Sequence, residues 1–406
     1  MNFEASVEYL LSLGHETLAM KLGLRNTELL LAALDNPERS FPSVQIAGTN
    51  GKGSTAVMLD SICRAAGIRT GLYTSPHLVS ITERIKVSDI EITREDFAAC
   101  ATEVRDVSEQ LEALPTFFEQ VTAIALLAFR NARIDLAILE TGLGGRLDST
   151  TAANARIVGI TSIAFDHEEY LGHTIESIAA EKAAIIRPGV HAVIARQPEP
   201  AALDVLLKRC EQVGVTPILA DSIATDGLVL GLRGRHQLDN AAVAVALAEL
   251  LRAEGFTISD SAIVDGLKTA RHAGRLELIS HKPSYLIDGA HNPAGAHTLR
   301  EYLDEFALRP LTLVFGAMRD KQLEQMGEIL FPVADTLVLT TIDNPRSASI
   351  ETLQTIASRF AKGTVLASQS SSEALRIALA NTSPEGFICI AGSLYLAGEV
   401  RPLIIS

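Results

Sequence analysis

At 406 residues the chain exceeds one ordinary core, and roughly 150 residues per domain makes two domains the starting expectation. Hydrophobic residues at 47% and charged residues at 21% exclude extended disorder and predict a compact globular protein. A formal net charge of -14 excludes sequence-independent attraction to nucleic acid or anionic lipid as the main purpose, so an anionic substrate must be held by local positive groups or metal.

The N-terminus, Met1-Asn2-Phe3-Glu4, carries acid where a signal peptide carries base. No uninterrupted apolar run approaches the roughly 18 residues of a membrane span. The expectation is a cytoplasmic protein with neither membrane nor nucleic acid as partner. Val44 to Ala47 predicts a short strand, followed by a glycine loop and a helix over Ser54 to Ala66 that Gly67 closes. Arg69 to Tyr73 and Ile134 to Leu139 read as further strands, the second followed by Glu140 and the flexible Gly142-Leu143-Gly144-Gly145. Ile157 to Ser162 is another, ending before Asp166-His167. A polar break at Gly231 to Gln237 precedes an alanine-rich helix from Asn240 to Leu251, and a second break falls at Ala273-Gly274-Arg275.

Beyond it the alternation restarts. Strands are predicted at Tyr285 to Ile287, Leu311 to Phe315, Thr336 to Leu339 and Phe387 to Ala391, with helices near Ala294 to Phe306 and Ile350 to Phe360. The fold class is therefore α/β: a mostly parallel sheet domain over residues 1–280 and a smaller α/β domain over residues 281–406, with the boundary near Ile279 to Pro283. Ligands of such sheets sit at the carboxyl ends of the strands, where the glycine loop, Ser75, Glu140 and His167 are all expected. Cys63, Cys100, Cys210 and Cys389 lie far apart without paired spacing, which predicts buried free thiols.

A loop that wraps phosphates needs glycines so that backbone N–H groups can approach the oxygens, a lysine for charge and a hydroxyl for magnesium. Gly51, Lys52, Gly53 and Ser54 supply these between a strand and a helix. The usual G-x-x-x-x-G-K-[ST] pattern is matched imperfectly, because its first glycine would fall at Ile46 and Gly53 separates Lys52 from Ser54. Glu140, at the end of an apolar strand, is either a metal-linked acid or a plain surface carboxylate. Glu181-Lys182, on a helix beginning near Glu176, would ordinarily be a solvated pair worth little.

Gly48-Thr49-Asn50-Gly51-Lys52-Gly53-Ser54 resembles the phosphate loop of the Mur-ligase superfamily. Further segments, in the same order, are similar to the folylpolyglutamate synthase/dihydrofolate synthase family. They are Tyr73-Thr74-Ser75-Pro76-His77-Leu78, Phe117-Phe118-Glu119, Glu140 to Asp148, Asp166-His167 and Glu181-Lys182-Ala183. His236-Gln237 with Asn240-Ala241, Gly274 to Glu277, Asp288 to Pro293 and Gly392 to Tyr395 follow. The resemblance spans nearly the whole chain.

The resemblance implies a P-loop domain followed by a Rossmann-like glutamate ligase domain, with ATP in the interdomain cleft. It implies ATP contacts from Thr49, Asn50, Gly51, Lys52, Gly53, Ser54, Asn240, Arg275 and Asp288. Ser54, Ser75, Glu140 and His167 become metal ligands, Lys182 a carbamylated lysine supporting a second magnesium, and His291 a residue near the incoming glutamate. Phe118, Leu147, Asp148 and Ser149 match the pterin-side pocket, which the Leu13-Gly14-His15-Glu16 stretch would close. The implied activity is ATP-dependent addition of L-glutamate to dihydropteroate or a reduced folate through an acyl phosphate, by a monomer using Mg2+ and a monovalent cation. A cell-wall Mur ligase would normally carry a substrate domain ahead of the loop, where only 47 residues stand here. A nucleotide switch would not need the restarted α/β domain, whereas an amino-acid ligase acting on a non-folate carboxylate stays open.

Overall fold

The computed structural model describes residues 1–14, 23–225 and 227–405. The chain divides into two compact units, one of residues 1–231 and 238–270, the other of residues 232–237 and 271–406.

In the first unit eight strands form one sheet: β1 (Ser43–Ala47), β2 (Thr70–Tyr73), β3 (Ile85–Val87), β4 (Ile90–Glu91), β5 (Leu136–Glu140), β6 (Ile157–Ile160), β7 (His191–Ile194) and β8 (Ile218–Leu219). Their order is β4-β3-β2-β5-β1-β6-β7-β8, and all neighbours are parallel except β2–β3 and β3–β4. The central strands are buried along their length because helices cover both faces, which is why they read as continuous apolar runs. Leu139 and Tyr73 pack with helices 94–108 and 117–132, and Val158 and Ile160 with helices 175–183 and 200–213. Gly159 points the other way, toward Val243 and Leu247 of helix Gln237–Ala253. Helix Lys52–Ala65 packs on β1, β2, β5 and helix Asp260–Thr269.

The second unit has six strands: β9 (Glu277–Ile279), β10 (Ser284–Ile287), β11 (Leu311–Phe315), β12 (Thr336–Thr340), β13 (Thr364–Ser368) and β14 (Phe387–Ala391), in the order β13-β12-β11-β14-β10-β9. Only β9 runs antiparallel. The division lies ahead of the expected 279–283, since β9 pairs with β10 and so draws the preceding residues into this sheet.

Boundaries shifted elsewhere for local reasons. β5 starts at Leu136, and Asp135 just ahead of it accepts the Arg69 N–H with its side chain. β6 ends at Ile160, where Thr161 and Ser162 turn away to meet the glycine loop. Helix Pro293–Phe306 has Asn292 as its N-cap and Pro293 in its first turn, as the Asn-Pro pair suggests. All four cysteines are buried free thiols. No helix among the described residues is long and apolar enough to cross a membrane.

Candidate active site

β1 is one of the two central strands of the sheet and runs directly into the glycine loop. The helix that follows begins at Lys52, two residues before the expected Ser54. Gly51 sets that start: its φ of 88° lies in the left-handed region, and a Cβ there would overlap Asn240 Oδ1. Lys52, Gly53 and Ser54 thus form the first helical turn, where N–H groups without intrahelical partners and the positive end of the helix dipole favour an anion. Asn240 is brought against this loop although about 190 residues separate it in sequence.

The loop is laced to the segment after β6. Thr49 and Asn50 donate their N–H groups to the Ser162 carbonyl at 2.8 and 3.1 Å. The Thr49 hydroxyl donates to the Ala164 carbonyl and accepts the Ala164 N–H, both at 3.1 Å. The Thr49 side chain therefore shapes the loop. Lys52 Nζ donates to the carbonyls of Gly48 and Thr49 at 3.1 and 3.0 Å, which holds its charge over the loop.

Glu181-Lys182 is no solvated pair. Glu181 turns outward to Arg146 at 2.9 Å, whereas Lys182 turns inward, is 4% exposed and donates from Nζ to the Gly48 carbonyl at 2.8 Å. The side-chain nitrogens of two lysines thus share one carbonyl oxygen. Burial, and secondarily the charge of Lys52, lowers the Lys182 pKa to about 7, against the opposing pull of Asp166, Asp148 and Glu181. The lowered pKa favours the neutral amine.

Glu140 ends β5 beside β1, level with Ile46, and is buried. Its Oε2 accepts the Ser75 N–H at 3.2 Å, so these two expected metal residues are brought together. Ser75 Oγ is itself buried without a hydrogen-bond partner, an orphaned hard oxygen beside a carboxylate. That donor set fits magnesium, which takes a few protein oxygens and completes its shell with water and phosphate. Among the described residues no three His, Cys, Asp or Glu side chains gather as a self-sufficient metal cage. His167 follows β6 and sits at φ 52°, with Asp166 accepting its N–H at 2.9 Å.

On the pterin-side segment Phe118 is half-buried, 6.2 Å from the Tyr73 ring, and lies so close to Gly142 that a Cβ there would strike its ring. Leu147 is partly exposed. Asp148 lies at the start of the short helical turn Ser149–Ala153. It is buried and its carboxylate is committed to the N–H groups of Gly142, Leu143 and Thr150 at 2.8, 2.9 and 3.0 Å and to the Thr150 hydroxyl at 2.5 Å. The loop's own orphan donors claim it, and burial raises its pKa. Ser149 is buried and accepts from the Thr27 hydroxyl at 3.3 Å. His15 and Glu16, expected to close this pocket, lie outside the described residues.

In the second unit Asp288 follows β10 and accepts the N–H groups of Leu276 and Ala290 at 2.8 and 2.9 Å. Burial raises its pKa, and Arg275 opposes the shift. A Cβ on Gly289 would come within 2.9 Å of an Arg275 Nη, which places the guanidinium over that turn. His291 Nδ1 lies 2.8 Å from the Gly289 carbonyl. His236 is lowered to about 4, by burial first and then by Arg275.

Models of known families locate the Mur ligase middle domain at residues 46–213 and the Mur ligase, glutamate ligase domain at residues 274–394. The chain is 33% identical to a dihydrofolate synthase/folylpolyglutamate synthase of Bacillus subtilis (strain 168), over 96% of each chain. It belongs to this family of Mur ligases. Escherichia coli FolC in complex with DHPP and ADP matches it with a TM-score of 0.89 at 31% identity, over 100% of this chain and 98% of that one. A bifunctional folylpolyglutamate synthase/dihydrofolate synthase with Mn, AMPPNP and L-glutamate bound matches with a TM-score of 0.87 at 29% identity, over 100% and 98%. The chain spans about half (51%) of a 32% identical Halobacterium salinarum relative named as a probable bifunctional folylpolyglutamate synthase/dihydropteroate synthase.

Two residues of this Mur ligase escaped the sequence reading. Glu277 accepts the Gly274 N–H at 2.9 Å and both Nε and Nη2 of Arg401, which fixes the turn carrying Arg275. Gln197 braces the segment after β6. Glu277 stood inside a quoted motif, but only the fold reveals its partner 124 residues away. Gln197 gave no signal, since a single polar residue after a strand reads as surface.

Proposed function

We propose that this Mur ligase joins L-glutamate to dihydropteroate and to reduced folates with cleavage of ATP to ADP and phosphate. The first helical turn after Gly51 and the Lys52 ammonium hold the triphosphate, with Asn50 and Asn240 flanking the loop. The substrate carboxylate attacks the γ-phosphorus in line, ADP leaves, and an acyl phosphate results. The α-amine of glutamate then adds to the acyl carbon, loses its proton, and phosphate departs from the tetrahedral intermediate. Ser54, Ser75, Glu140 and His167 would hold magnesium, which when bound neutralises the crowded oxygens of donor and acceptor. Lys182, as a carbamate, would support a second magnesium, and its lowered pKa supplies the neutral amine that carbamylation requires. Phe118 gives the heterocycle a face to stack on, and Leu147, Asp148 and Ser149 line the pterin side, with the Asp148 carboxylate also holding their loop. Asp288 and Arg275 serve the nucleotide, and His291 the glutamate.

The observation that supports this reading most is the loop itself: Gly51 left-handed under Asn240, the helix opening at Lys52, and buried Lys182 on the Gly48 carbonyl. ADP release by the purified protein with ATP, magnesium and glutamate tests it, comparing dihydropteroate with tetrahydrofolate. Both should stimulate release. Stimulation by neither would reject the folate assignment, and stimulation by one alone would restrict the enzyme to that reaction.

A further inference from the structure

The β6–β7 ladder ends where Ala195 donates its N–H to the Ile160 carbonyl at 2.8 Å. Beyond that point the chain after β6 must still leave in one direction, because it carries Asp166 and His167 toward the site. Gln197 continues the ladder with its side chain. Its Oε1 accepts the Ile163 N–H at 3.0 Å, and its Nε2 donates to the carbonyls of Thr161 at 3.2 Å and Ala195 at 2.9 Å. A carboxamide carries the same acceptor and donor as a peptide group, so it can replace the next rung of a neighbouring strand. Glutamate would keep the acceptor and lose both donations, and alanine would lose all three bonds.

The opposite side of the same segment is tied to the phosphate loop through Ser162 and Ala164. Residues 161–164 are thus clamped between Gln197 and the loop, and His167 is launched from that clamp in a left-handed conformation at φ 52° that a non-glycine residue holds only when its surroundings over-determine it. We propose that Gln197 is a positioning residue: it fixes the course of residues 161–167, and through them the placement of His167 as a cation ligand. The proposal rests on the assignment of His167 to the metal site. Partners that orient a metal ligand typically matter by 10–100-fold in metal affinity.

Mn2+ binding to the full chain with AMPPNP present, followed by electron paramagnetic resonance, tests it in the wild type and in Gln197→Ala, Gln197→Glu and His167→Ala. Gln197→Ala should weaken Mn2+ binding about tenfold, with the KM for glutamate within about twofold of wild type. Gln197→Glu should weaken it comparably, because it loses the donations to the Thr161 and Ala195 carbonyls that tie the segment to the end of β7, and this near-isostere carries the test if the alanine variant does not fold. His167→Ala that binds Mn2+ like the wild type would overturn the ligand assignment and the proposal with it. A weakened His167→Ala beside wild-type binding in a folded Gln197 variant would overturn the positioning role alone.

Discussion

Lys182 shows how burial converts an ordinary residue into a chemical one. Its unfolded pKa is the ordinary 10.5 and its folded value is about 7, so between those limits the unfolded chain binds more protons than the folded one. Unfolding free energy must therefore climb as pH rises from 7 to 10, while below 7 the penalty for charging the buried amine is constant. Urea unfolding of the wild type against Lys182→Met at pH 7 and pH 10 should show the wild type gaining at most about 4 kcal/mol relative to the variant over that interval. A gain of zero would mean that the side chain is either protonated or carbamylated in the fold, which the mass of the intact protein distinguishes. Gly51 acts by geometry instead. Gly51→Ala should destabilise the protein by about 1–3 kcal/mol and weaken nucleotide binding, measured by calorimetry, because φ of 88° is strained for alanine and the new methyl meets Asn240.

Elements place these residues through their ends more than through their middles. Helix Phe117–Ala132 starts with a reciprocal cap in which Thr116 donates its N–H to Glu119 Oε2 at 2.7 Å and accepts the Glu119 N–H at its hydroxyl. Phe118 sits in that first turn, against Gly142. Thr116→Ala should cost about 1 kcal/mol in chemical denaturation. It should also raise the KM for the pterin substrate while leaving the KM for ATP unchanged, since the phosphate loop starts from a different strand. An equal rise in both would point to general loosening of the first unit.

The whole molecule carries a net charge of -14 and yet is expected to gather ATP and an acidic amino acid. The counter-charge is local: Lys52, Lys182 and a helix N-terminus at the end of β1, and Arg275 near Asp288 in the second unit. Ligand that binds only the folded state stabilises it by about 2.7 kcal/mol at one hundred times its Kd. AMPPNP with magnesium should accordingly raise the Tm by a few degrees, and Lys52→Ala should remove most of that rise with little change in the Tm of the free protein. A full shift in the variant would remove Lys52 from the nucleotide site.

The sequence by itself determined the α/β class, the strand–loop–helix at residues 44–66, the Asn292-Pro293 helix start and the Mur-ligase lineage. The first three rest on short-range rules of apolar runs, glycine position and capping, which operate within a few residues, and the lineage on the resemblance of motifs spread along the chain. What only the tertiary structure decided are relations across long sequence gaps: Asn240 on Gly51, Lys182 on the Gly48 carbonyl, Gln197 on the turn after β6, Arg401 on Glu277. The hydrogen bonds of the Asp148 carboxylate belong with them, because which buried N–H groups a carboxylate satisfies depends on where the fold brings the loop. The inward turn of Lys182 has the same origin, since a helix pattern fixes which residues share a face but not which face the sheet will cover.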